Sequence, residues 1–268
     1  MRFVSPAFSP APLLVACLSA GAAAAALALT APRACAQIVV APGANAAVEG
    51  NINNFFPFNI GDSANFDRYQ QVYGASEFTS LPTGGLLITQ IAFRPDAIGG
   101  AAFSSTLPNV QINLSTTSTA VDAMSDTFAS NVGANDTVVF SGALSLSSAF
   151  TGPAGGPKDF DILINLSTPF LYDPSAGNLL LDVRNFGGGT TTPFDAENTV
   201  GDGVSRVATY ADGVNPATGD FRDSVGLVTR FTFAPDIGVV PEPGTLALAG
   251  TGLLPLAGAV VRRKRRNA

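Results

Sequence analysis

The 268-residue sequence contains no histidine and no tryptophan. Without histidine the chain can build no Ser-His-Asp triad, no Cys-His dyad and no histidine-ligated zinc site. Its two cysteines are too few for a four-thiolate zinc site or an iron–sulfur cluster. Both cysteines, Cys17 and Cys35, fall within the first 36 residues, so everything beyond must stand without a disulfide. Positive charge is also scarce, with 14 Lys+Arg against 20 Asp+Glu and a formal net charge of −6. Neutralising a nucleic-acid backbone takes Lys and Arg in numbers, so nucleic acid is not an expected partner.

What is present is concentrated at the two ends. Arg2 is followed by an apolar stretch from Ala11 to Leu29, and then by Ala34-Cys35-Ala36 before Gln37. A basic start, an apolar run and an Ala-x-Ala site read as a secretory signal peptide over 1–36, cleaved between Ala36 and Gln37. Its partners would be the Sec translocon and signal peptidase. An uncleaved anchor is one alternative. A lipoprotein signal at Leu14-Val15-Ala16-Cys17 is another, although the apolar run continues well past Cys17. At the other end, Pro241-Glu242-Pro243 precedes a 17-residue apolar run, Thr245 to Val261, and then Arg262-Arg263-Lys264-Arg265-Arg266. The run is at the short limit for a membrane-spanning helix. Its glycines and proline suit a membrane helix better than a soluble one. Five consecutive cations would hold the tail on the cytoplasmic side.

The combination of Pro241-Glu242-Pro243, apolar helix and basic cluster over 238–268 resembles the PEP-CTERM sorting signal of bacteria. The resemblance implies recognition by a membrane-embedded exosortase and a link to exopolysaccharide and biofilm. The precursor would sit in the inner membrane through its C-terminal helix. The processed protein would reach the cell surface or the extracellular matrix. The physical logic agrees, because two prolines keep the motif extended and readable beside the membrane.

Between the two signals lies the exported domain, 37–237. Over 37–242 seven cations face all twenty acids, a net charge of −13. About 200 residues can bury a core, and one domain is expected. The pattern alternates with period two between turn residues. Leu87, Ile91 and Phe93 share a face; so do Val110, Ile112 and Leu114, with Gln111, Asn113 and Ser115 outward. Ile162, Ile164 and Leu166 follow the same rule, as do Leu179, Leu181 and Val183, and then Leu227, Phe231 and Phe233. Shorter strands are expected at 69–73, 137–141, 170–172 and 205–210. No segment keeps a helical period. Eight to ten strands with Gly-rich turns predict an all-β fold, a single antiparallel sandwich or jelly roll. The stretch from Arg68-Tyr69-Gln70-Gln71-Val72-Tyr73 to Asp182-Val183-Arg184 also resembles uncharacterised β-rich domains of exported PEP-CTERM proteins, which carry no activity to transfer.

Catalytic constellations are missing. There is no Gly-x-Ser-x-Gly elbow and no P-loop. Lys158, the single lysine of the domain, reads as a solvated turn residue. Paired carboxylates for glycoside hydrolysis are available in any chain with twenty acids, but most of these are Asp beside Gly, Asn or Ser, where Asp makes turns. Calcium is the ligand such oxygen donors suit best, with Asp62, Asn65 and Asp67 as the first candidate loop. No other cofactor is expected. The composition points to a non-enzymatic surface or matrix protein in contact with exopolysaccharide. The alternatives are a carbohydrate-binding module using Tyr69, Tyr73 or Tyr210, and a carboxylate-based polysaccharide hydrolase.

Overall fold

The computed structural model describes residues 36–61, 67–209 and 216–234, all within one compact unit. Thirteen strands are found among them. They are β1 (Gln37–Ala41), β2 (Ile52–Asn54), β3 (Asp67–Tyr73), β4 (Leu86–Phe93), β5 (Phe103–Thr117), β6 (Thr137–Ser148) and β7 (Ile162–Tyr172), followed by β8 (Asn178–Asn185), β9 (Phe194–Asn198), β10 (Val204–Ala208), β11 (Phe221–Asp223), β12 (Val225–Leu227) and β13 (Thr229–Ala234). The helices among the described residues are short 3-10 turns. None is long and apolar enough to cross a membrane. The signal helix and the C-terminal helix expected from the sequence lie outside the described residues.

Every strand pair is antiparallel. One sheet has the order β1-β13-β4-β7, a second β11-β10-β3-β8-β5-β6, and a third, smaller one β12-β9-β2. The alternating apolar positions of the first two sheets meet in one core. Ile88, Ile91, Phe93, Ile164, Phe231 and Phe233 come from the first sheet, and Tyr69, Tyr73, Ile112, Leu114, Leu181 and Val183 from the second. An aromatic edge joins the two, Tyr73 meeting Phe231 at 5.0 Å, and Phe78, in the 3-10 turn after β3, meets Tyr172 edge-on at 4.9 Å. Such pairs add roughly 0.5–1.5 kcal/mol each beyond the area they bury.

The expected strands are present, but the chain holds more of them and they run longer. The strand expected at 110–115 is the last part of the 15-residue β5. The strand expected at 226–233 is divided at Val228 into β12 and β13, which belong to different sheets. The pentapeptide Ile112-Asn113-Leu114-Ser115-Thr116 recurs as Ile164-Asn165-Leu166-Ser167-Thr168, and the two copies lie on β5 and β7, in different sheets.

The outer face of the larger sheet departs most from the sequence pattern. Asn113 and Ser115 were expected in water, yet both are buried, as are Arg68, Gln70 and Asp182. The segment between β5 and β6 folds back across this face. Its Met124 and Phe128 form a second small core with Val72, Leu180 and Val207. Beside that core the polar groups satisfy one another. Arg68 donates to both oxygens of Asp182, at 3.1 and 2.6 Å, and lies over the Phe128 ring. Gln70 donates to Asp182 at 2.9 Å and accepts from Asn131 at 3.0 Å. A polar strand face can therefore be interior when its groups pair with one another and with a covering loop.

Candidate functional site

The small third sheet organises an acidic cluster. An isolated bridge joins Pro95 to Phe194, and the Asp195 amide donates to the Arg94 carbonyl at 3.0 Å. These backbone links place Arg94, just past β4, beside Asp195 on β9. The Arg94 side chain is 1% exposed. Its Nε donates to Asp195 Oδ2 at 2.7 Å, and one terminal nitrogen donates to the carbonyls of Asn45 and Val48. The guanidinium also lies 4.9 Å from the centre of the Phe160 ring. The Gly50 amide donates to Asp195 Oδ1 at 2.9 Å. Position 50 admits only glycine, because a Cβ there would collide with the Ala196 carbonyl.

Two further carboxylates converge on this point. Oxygens of Glu49, Asp96 and Asp195 all lie within 4.8 Å of one another. Asp96 is 5% exposed and uses only Oδ1, which accepts the amides of Ile98 and Gly99. Glu49 accepts the Ala97 amide on Oε1 at 2.6 Å, while its Oε2 is buried with no hydrogen-bond partner. Burial pushes Asp195 up to about 7, against the pull of Arg94, and Glu49 adds to the rise. Burial raises Glu49 as well. Three acids are set against the Arg94 guanidinium, with Lys158 close enough to pull Glu49 down as well. Hard oxygen donors at this spacing are those a divalent cation such as calcium takes.

The residues singled out from the sequence fare differently. Asp62 and Asn65 lie outside the described residues. Asp67 opens β3 and is 3% exposed, with neither carboxyl oxygen hydrogen-bonded. Burial pushes it up to about 8, with Arg206 opposing and Asp220 adding. The pH dependence has a definite sign. A carboxyl that titrates near 3.8 in the unfolded chain and near 8 in the fold contributes its stability below pH 4, and loses it as pH rises towards 8. Asp67→Asn should therefore melt several degrees above wild type at pH 8 and level with it at pH 4. A difference that does not change with pH would contradict this assignment.

Tyr69 and Tyr73 are wholly buried. The Tyr69 hydroxyl donates to Gln71 Oε1, and the Tyr73 hydroxyl is 2.8 Å from Thr229 Oγ1. Neither ring can serve as a sugar platform, which corrects that expectation; period-two alternation turns both into the core. Tyr210 lies outside the described residues. Lys158 is buried rather than solvated, with Nζ donating to the Pro153 carbonyl at 2.8 Å beneath the Phe150 ring. At the N-terminal side Ala36 is exposed and Gln37 opens β1, paired with Phe233. Ala34, the motif Pro241, Glu242 and Pro243, and the cations Arg262, Arg263, Lys264, Arg265 and Arg266 lie outside the described residues.

A second feature is a pocket of about 430 Å³ between the 122–124 segment, the start of β10 and the end of β11. Asp122 and Asp223 both line it. Each is already engaged, Asp223 by Arg206 at 2.8 and 3.0 Å, and Asp122 by the Gly201 amide at 2.9 Å.

Fold and tail together define an all-β antiparallel domain carried on an exported, membrane-passing precursor. Residues 239–266 match the PEP-CTERM protein-sorting motif, so the precursor is a substrate for exosortase sorting. No curated protein and no solved structure matches the chain.

Proposed function

We propose that the exported domain is a non-enzymatic component of the cell surface or extracellular matrix, in contact with exopolysaccharide and associated with biofilm. The observation that carries this reading is the sorting motif at 239–266 behind an acidic β-domain. Two antiparallel sheets with one core support a single sandwich over 37–237. The sequence supports a signal peptide over 1–36, cut at Gln37, and a membrane helix over 245–261 that precedes processing. An acidic exterior supports a role as a solvated, self-repelling surface. The binding reading is favoured over hydrolysis because the two carboxylates of the pocket are already engaged, one by a guanidinium and one by a backbone amide. A free acid and a free base are what hydrolysis would need. Deleting the gene should change cell aggregation or matrix texture without removing any polysaccharide-degrading activity. A deletion strain that loses such activity would overturn the reading.

Structural calcium belongs to the same proposal. Glu49, Asp96 and Asp195 would hold it, and the buried, unpartnered Oε2 of Glu49 supports this. Millimolar calcium should then raise the melting temperature of the full-length protein by several degrees. Glu49→Gln should remove that increment while melting close to wild type in chelator. An equal calcium increment in both proteins would exclude these three ligands.

A further inference from the structure

We propose that the pocket between Asp122, Val200 and Arg222 is a binding site for a neutral sugar unit of a polysaccharide. This rests on the surface-polymer reading above and deepens it. At about 430 Å³ the pocket falls within the roughly 300–1,000 Å³ usual for small-molecule sites.

Its walls are prearranged. Asp122 holds φ near +60°, a left-handed conformation that costs a non-glycine residue about 1 kcal/mol or more. Two bonds keep it there. Its amide donates to Ser205 Oγ at 2.9 Å, and its Oδ2 accepts the Gly201 amide at 2.9 Å. Oδ1 is left without a protein donor. Ser205 is 1% exposed, and its hydroxyl accepts from Asp122 while donating to no protein acceptor. Arg206 is fixed by Asp223 and by Asn54 Oδ1 at 2.7 Å. Arg222 is half exposed. It donates to the Met124 carbonyl at 2.7 Å and pairs loosely with Asp126 at 3.3 Å, which leaves its second terminal nitrogen unpartnered.

Two guanidiniums and two carboxylates of the lining balance, so the pocket is electrically neutral within a strongly acidic domain. Spare donors on Ser205 and Arg222 stand near a spare acceptor on Asp122. Adjacent sugar hydroxyls, each both donor and acceptor, match that arrangement. Val200, 79% exposed, offers an apolar surface for the C–H face of a ring, with the buried Met124 behind it in the lining. An anionic sugar gains nothing from a neutral lining and is repelled by the domain around it.

The test uses the full-length protein in detergent. Short oligosaccharides from the producer's own exopolysaccharide, neutral trisaccharides and trigalacturonic acid are titrated and followed by ligand-observed NMR and calorimetry. Neutral oligosaccharides should bind. Arg222→Ala and Asp122→Asn should each weaken binding about tenfold at an unchanged melting temperature. Equal binding by wild type and both variants would overturn the pocket while leaving the surface-polymer reading standing. Preference for trigalacturonic acid would overturn the neutral-sugar assignment. Capture by the intact polymer without any oligosaccharide binding would also overturn the pocket alone. No association with polymer or fragments would overturn both readings together.

Discussion

Replacing Arg94 with methionine should destabilise the protein by about 3–5 kcal/mol, the range seen when one partner of a buried ion pair is removed. The guanidinium is almost fully enclosed and pairs with the equally buried Asp195. Its loss would leave Asp195 Oδ2 and the carbonyls of Asn45 and Val48 without the donor they share. It would also leave three carboxylate oxygens within 4.8 Å with their nearest guanidinium gone. The acids would respond by holding protons more tightly, because burial already raises Asp195 and Glu49. For a domain of this size each kcal/mol is worth roughly 2–4 °C, so the melting temperature should fall by about 6–20 °C. The double variant Arg94→Met/Asp195→Leu supplies the control. Removing both charges replaces a broken pair with apolar packing, and it should recover part of the loss. Denaturant unfolding of the three proteins measures both effects. A single variant within about 1 kcal/mol of wild type would show that the cluster is far better solvated than its burial indicates.

The core was legible because it repeats. Ile91 and Phe93 in β4, Leu179, Leu181 and Val183 in β8, and Phe231 and Phe233 in β13 obey a period of two, which one buried face imposes; the bulge between Ile88 and Gln90 breaks that period and buries Ile88 where the alternation expected Leu87. β9 was missed because its sequence, Phe-Asp-Ala-Glu-Asn, carries residues that strands usually avoid. It pairs on both sides with strands of only three residues, and its acids are held by partners from elsewhere in the chain. The outer face of β3, β5 and β8 misled for a related reason. Alternation reports that Gln70, Asn113 and Asp182 point away from the main core, but it does not report that another segment covers them.

The acidic cluster had no local signature at all. Arg94 lies 101 residues from Asp195 in sequence and 46 from Val48, so only the completed fold brings these groups together. Asp195 sits in the acidic stretch Asp195-Ala196-Glu197-Asn198, whereas Glu49 and Asp96 carry no sequence signal beyond their charge. The pocket is equally non-local, with walls drawn from residues 122 to 224. The sorting signal is the opposite case. Motif, apolar run and cations are contiguous, and an enzyme reads them as a linear stretch, so the sequence holds all of it.

That signal carries the largest expected effect. Pro241 and Pro243 fix their own backbone and keep the preceding residues out of helix. Glu242 supplies the one charge between them, just ahead of 17 apolar residues. Alanine at all three positions would remove both proline constraints and that charge. Processing at this point should then stop. The decisive measurement compares wild type with Pro241→Ala/Glu242→Ala/Pro243→Ala in the producing cell, by fractionation and intact mass. The account predicts a shortened wild-type protein at the surface or in the medium, and the variant at precursor mass in the membrane fraction. A variant processed and released like wild type would contradict it.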